Sequence, residues 1–294
     1  YAKVRVGIQV LWDKAFHIRP NSVKKGIIRG KSHIEEDFEI ELAACRPLIC
    51  NENFYHYRND KADVFVIFPY DVIKGTVTEI SFSDFKKRFP LAGEYLSRNK
   101  KTIQQNVETW NNAKTWHLYT RVQNHGATYP KILVPMTALD TFATITLSDN
   151  TYCDNANVFF IEAPEKDEIT LYALSAVINS TIYSVLARSI ANPQSNGYFK
   201  FNKQFLEPVP FPCQKFIDNI ELKTQLAEAA KRIEDLQNKF IGGSPNQQRT
   251  FANLLLTQWN ILDNLCYQLY DLTADEIAFF NGRGRNVNRI ESIN

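Results

Sequence analysis

Residues 171–212 read LYALSAVINSTIYSVLARSIANPQSNGYFKFNKQFLEPVPFP, and their order of apolar helix, stop, aromatic segment and Pro ladder decides how the rest is read. Leu171, Leu174, Ile178, Val185 and Leu186 recur at helical spacing, with Val177 and Ile182 widening the stripe, so the pattern predicts one amphipathic helix. Asp167 stands where an N-cap belongs. Asn192-Pro193 ends the run because Pro has no N–H to continue the ladder. Phe199 and Phe201 then alternate with Lys200 and Asn202 at the strand period of two, which turns Lys200 away from the rings; Lys203 follows it. Pro208, Pro210 and Pro212 fix every second φ and favour an extended segment laid over a surface.

Downstream the pattern changes. Leu222, Leu226, Ala229, Ile233, Leu236 and Phe240 step by 4, 3, 4, 3 and 4, a heptad seam with Asn219 one step earlier. Gly242-Gly243-Ser244-Pro245 breaks it, Ser244 as N-cap and Pro245 at the first helical position. Phe251, Leu255, Trp259, Leu262, Cys266 and Leu269 mark a second helix, and Thr273 with Glu276 forms a capping box for a short third. Two long helices joined by a tight turn are expected to fold back as an antiparallel hairpin.

Upstream, the elements are short. Residues 4–18 suggest one or two strands, 21–30 a loop, 38–50 a strand, 64–70 an apolar strand ending at Pro69, and 76–80 another. Residues 83–89 and 91–105 read as helices interrupted at Pro90, and 132–134 and 157–161 as compact strands. Regular alternation of strand and helix is absent, so the fold class is α+β: a mixed domain at 1–215, then a helical hairpin at 216–294.

The chain opens on Tyr1 and its single Met is Met136, so it is expected to be a piece of a longer protein. Five Cys without a Cys-x-x-Cys pair suit reduced thiols in a cytoplasm, and five scattered His show no metal-ligand spacing. No apolar run approaches the ~18 residues of a membrane span. The net charge of +2 conceals a polarity: residues 1–131 hold 21 Lys and Arg against 14 Asp and Glu, the remainder 13 against 18. Clustered cations attract phosphate backbones, although a solvated basic face is the plainer explanation.

Catalytic signatures are missing. No two Pro are adjacent, which excludes the Asn-Pro-Pro-Tyr type of methyltransferase tetrapeptide. The only Gly-x-Gly, Gly282-Arg283-Gly284, precedes no helix. Asp84-Phe85-Lys86 and Glu221-Leu222-Lys223 match half of a metal-dependent nuclease motif, but Glu221 lies on the heptad helix and Asp84 opens a helix. Gly-x-Ser-x-Gly and Walker loops do not occur.

The opening stretch, in its order and spacing, resembles the end of the TaqI-like C-terminal specificity domain of restriction–modification DNA methyltransferases. FPLAGEYLSRNKK at 89–101 resembles the family's Pro-Leu-x-x-Tyr-Leu segment. Trp116 through Arg121 and Pro130-Lys131-Ile132-Leu133-Val134-Pro135 are similar to its Trp-x-x-x-x-Arg and Pro-Lys-Ile-x-x-Pro elements. Tyr152 with Phe159-Phe160-Ile161 looks like the strand before its long helix. Leu269-Tyr270-Asp271-Leu272-Thr273 with Glu276-Ile277 resembles a Leu-Tyr-Gly-Leu-Thr-x-x-Glu ending, with Asp271 in place of Gly.

The resemblance implies a double-stranded DNA recognition module that performs no chemistry itself, attached in the parent chain to the catalytic domain of a type IIG-like adenine methyltransferase. S-adenosylmethionine, and Mg²⁺ if a nuclease is present, would belong to that parent; no cofactor is expected here. Lys86, Lys87, Arg88, Arg98, Lys100 and Lys101 suit phosphate contacts, which position without reading. Arg121, Gln123, Asn124 and His125 form a polar loop of the residue types that bridge guanine or adenine edges. Arg29, Lys31 and His33 form a second candidate loop, Arg58 and Lys61 a third, and Lys200 and Lys203 are further candidates. Trp110 and Trp116 read as core. The alternative is a specificity-like subunit whose helices dock a separate methyltransferase or phage-defence partner, motivated by the seam at 222–240.

Overall fold

A computed structural model describes residues 1–10, 12–50, 54–59, 64–107, 115–119, 121–285 and 289, without the side chains at 54, 55, 58 and 59. At its centre the strand Lys131–Pro135 is buried along its whole length. Val158–Glu162 pairs with it on one side and Thr144–Thr146 on the other, and Lys3–Val6 closes the far edge of Val158–Glu162, all antiparallel. Alternation sends Ile132, Val134, Phe159 and Ile161 to one face, against the helices. Leu133, Val158 and Phe160 go to the other, against Ile49, Ala127 and Cys153. With both faces covered, these strands read as unbroken apolar runs rather than alternating ones.

The single helix expected over 171–190 is two helices, Glu168–Ile178 and Thr181–Ile190, bent by 63°. Asp167 does cap the first, accepting from the Thr170 N–H at 2.9 Å. The break lies at Asn179-Ser180. Ser180 caps the second helix, its Oγ accepting from the Tyr183 N–H at 3.2 Å. Asn179, 1% exposed, accepts from the Ala143 N–H at 2.7 Å and donates to the Ala143 carbonyl at 3.0 Å. The first helix is buried almost all round, so its apolar residues carry no phase that could betray the kink. Beyond the second helix, Asn192–Pro193 forms an edge strand on Phe199–Lys200, which pairs in turn with Thr137–Ala138.

The helical hairpin forms as expected, from Ile220–Gly242 and Pro245–Leu269. Asn219 is the first helix's N-cap, accepting from the Leu222 N–H at 3.0 Å. Ser244 with Gln247 and Thr273 with Glu276 make capping boxes. The seam residues pack both on the second helix and on Glu168–Ile178, so one apolar core runs from Val4 to Leu269 across position 215. Asp263 ties this core to the tail: Arg289 holds its carboxylate at 2.6 and 3.0 Å and donates to the Asn179 carbonyl at 3.1 Å.

A second core lies upstream, under a six-stranded sheet. Its order is Tyr152–Cys153, Cys45–Ile49, Val64–Ile67, His17–Lys24, Ile27–Lys31 and Phe38–Glu41, with only the first pair parallel. Residues 21–30, expected as a loop, belong to a hairpin. Lys25 and Gly26 both take positive φ, 50° and 78°, as a two-residue turn of the primed type requires. Lys74 and Gly75 repeat it, at 48° and 80°, between Tyr70–Ile73 and Thr76–Glu79. A short 3-10 turn, Leu42–Ala44, divides the strand expected at 38–50. The helices Phe82–Arg88 and Pro90–Asn106 meet at Phe89 and cover the sheet with Phe85, Tyr95, Leu96 and Ile103. The two cores and mixed sheets make the fold α+β.

Candidate functional site

Two adjoining hollows, of about 400 and 540 Å³, open on the sheet of the upstream core and share Asp13, His17 and Arg19. Their position follows from strand alternation. Ile18 is fully buried, so His17 and Arg19 on either side of it turn to the opposite face. Lys31 is the cross-strand partner of Arg19. The loop after Lys31 closes over them: Ser32 Oγ accepts from the Ile34 and Glu35 N–H groups at 3.2 and 3.1 Å, and the His33 N–H donates to the Lys14 carbonyl at 3.0 Å. Both walls are held from behind by one side chain. The Tyr95 hydroxyl bonds the Ala15 carbonyl at 2.7 Å and Ser32 Oγ at 2.9 Å, with its ring stacked on Phe38.

Gln9, Trp12, Cys50, Asn155 and Asn157 line the other end. Backbone bonds fix it: Ile8 N–H to the Cys153 carbonyl at 2.9 Å, Asn155 N–H to the Ile8 carbonyl at 3.2 Å, and Asp154 N–H to the Ile49 carbonyl at 3.0 Å. The lining is of mixed sign, with Lys14, Arg19 and Lys31 facing Asp13, Glu36 and Asp154. Burial lowers the pKa of His17, although Asp154 and Asp13 pull it upward, and burial raises that of Asp154. His17 Nε2 has no hydrogen-bond partner among the described residues. The groove therefore presents cations, carboxylates and amides on a rigid frame. It can read a polar edge that carries both donors and acceptors.

Of the residues singled out in the sequence, Lys31 and His33 lie in this groove. The groove also brings in Lys14, His17 and Arg19, which the sequence reading does not single out; their signal is His-Ile-Arg at strand period, masked where 21–30 reads as a loop. Arg29 stands outside, bonded twice to Asp37 at 2.7 and 2.6 Å. On the covering helices Arg88 is held bidentately by Asp71 at 2.7 and 2.9 Å, and Arg98 by the two oxygens of Glu35 at 2.6 and 3.1 Å. Surface pairs of this kind contribute little to stability. Lys100 lies over the buried Trp116 ring, while Lys86, Lys87 and Lys101 are exposed. Lys200 and Lys203 are in the other lobe, Lys203 beside Glu207. Arg58 lies in the short strand Arg58–Asn59; Lys61 and Trp110 fall outside the described residues.

The polar loop divides its roles. Arg121 is exposed. Gln123 and Asn124 donate to the Gly7 and Val6 carbonyls at 3.2 and 2.9 Å, and Asn124 takes φ 55°. His125 is fully buried among Phe68, Tyr70 and Tyr119, and burial pushes its pKa down to about 4. Contrary to the expectation of a base contact, it supports the loop from beneath.

Among the described residues, no cluster of three His, Cys, Asp or Glu could hold a metal ion. Asp84 is bonded to Ser81 at the start of its helix. Gly282 and Gly284 close the Ala274–Arg283 helix instead of opening one, so these residues do not fit an S-adenosylmethionine site. A cavity of about 300 Å³ in the helical lobe is walled mainly by apolar side chains such as Leu174, Val177 and Phe211, with Glu207 at its edge, and suits no polyanion.

No curated protein matches the chain. Among solved structures it is similar to the type IIL restriction-modification enzyme MmeI in complex with DNA, at 13% identity and a TM-score of 0.59, covering 96% of this chain and 35% of that one. The chain thus spans about a third of that enzyme's length, and the likeness is one of fold. Residues 79–211 match the model of the TaqI-like C-terminal specificity domain. This matched segment runs from the covering helices through most of the central sheet to the Pro ladder, and it is similar to the TaqI-like specificity domain over that stretch.

Proposed function

We propose that the chain is a sequence-specific double-stranded DNA recognition module of a restriction–modification methyltransferase and carries out no chemistry itself. The observation that carries this reading is the specificity-domain match at 79–211, whose first helices bear the exposed Lys86, Lys87 and Lys101. The similar solved structure is of an enzyme in complex with DNA. In this reading a type IIG-like adenine methyltransferase domain in the same parent chain binds S-adenosylmethionine, Mg²⁺ serves a nuclease where one is attached, and the whole works in the cytoplasm against phage. The test is duplex binding by the chain as it stands. Affinity should fall steeply with salt, by roughly 0.9 log units per log unit of salt for each phosphate neutralised. Absence of binding in dilute buffer would end the proposal.

A docking subunit is the second reading. Leu254 and Ile261, seven residues apart on one flank of the Pro245–Leu269 helix, are exposed, and a separate methyltransferase could pack there. A chain that stays monomeric and retains no such partner in a pull-down would count against it.

A further inference from the structure

We infer that the groove at His17, Arg19 and Lys31 is where a base pair is read, and that Arg19 is the residue that selects guanine in a G·C pair. The inference rests on the DNA-recognition reading and adds the site, the base and the residue. Its first support is the mixed sign of the groove. A phosphate clamp gathers cations and excludes carboxylates, yet Asp13 and Glu36 share these walls with Lys14 and Arg19. A G·C edge in the major groove needs both: guanine offers O6 and N7 as acceptors and cytosine offers its N4 amino group as a donor. Arg19 supplies the planar fork for the first, which the single ammonium of Lys31 cannot, and a wall carboxylate accepts from the second.

Its second support is rigidity. Base reading depends on donors held in place, and the Tyr95 hydroxyl ties the two walls together through Ala15 and Ser32.

The experiment starts from a pool of randomised duplexes. The chain is used to enrich bound DNA, and the resulting motif is resynthesised with 7-deazaguanine at each guanine in turn. At one guanine, loss of N7 should weaken wild-type binding about 5- to 150-fold, the range of one bidentate contact. In Arg19→Lys, which keeps the charge but not the planar fork, the ratio of affinities for the normal and 7-deaza duplexes at that position should fall below the wild-type value. Arg19→Ala, with an unchanged melting temperature, should enrich a motif that has lost this guanine. The assignment is overturned if both variants enrich the wild-type motif and keep the 7-deaza ratio. Should wild type bind duplexes but enrich no motif, the groove reads nothing and the inference fails while DNA binding stands. Should it bind no duplex at all, the DNA reading itself fails and the groove goes with it.

Discussion

His125 shows what a residue chosen for its chemistry can be doing instead. In sequence it sits in Arg-Val-Gln-Asn-His, a polar run that invites a reading of base contacts. In the fold its ring is packed against Phe68, Tyr70 and Tyr119, its Nδ1 lies 3.0 Å from the Gln123 carbonyl, and Nε2 is buried without a partner among the described residues. Burial depresses its pKa from 6.5 to about 4. Between those values the unfolded chain takes up a proton that the fold refuses. Stability is therefore lost as pH falls through this window, by at most about 3 kcal/mol. His125→Phe removes the proton and keeps the ring. Urea midpoints at pH 4.5 and 7 should differ less in the variant than in wild type. An equal difference in both would show that His17 and His117, also lowered by burial, dominate acid lability.

Elements were legible in proportion to how much of their logic is local. The helical hairpin could be read because its seam, Gly-Gly-Ser-Pro stop and capping box all lie in adjacent sequence. The hairpin at Lys25-Gly26 could not, because Lys takes the left-handed position where Asn or Gly is the usual signal. The kink at Asn179 was invisible for another reason: the asparagine bonds to Ala143 across 36 residues, a partner no periodicity reveals. Such a joint has a measurable consequence. Ser180→Ala removes one cap and should cost about 1 kcal/mol. Asn179→Ala strands the Ala143 amide and removes one partner of His56, while the Ala143 carbonyl keeps the Tyr57 N–H, and should cost more, about 2–3 kcal/mol by thermal melting. Equal costs would mean that the cap, and not the long-range bond to Ala143, sets the bend.

Over the whole molecule, charge counts favour the first half of the chain without locating a surface. The count treats every Arg alike, whereas the fold commits Arg88 to Asp71, Arg98 to Glu35 and Arg29 to Asp37, and brings Lys14, Arg19 and Lys31 together from separate segments. What remains uncommitted on the helices Phe82–Arg88 and Pro90–Asn106 includes Lys86 and Lys87, which makes the phosphate role testable apart from base reading. Gly93 leaves room for the first carbons of Lys86, and Gln has the same Cβ and Cγ, so Lys86→Gln with Lys87→Gln should not disturb that contact. If both lysines touch phosphates, the double variant should bind every duplex more weakly while enriching the same motif. Its plot of log affinity against log salt should be shallower by roughly 1.8, two phosphates at about 0.9 each. A slope equal to wild type would remove these helices from the interface and move the backbone contacts elsewhere, with Lys200 and Lys203 the next to substitute.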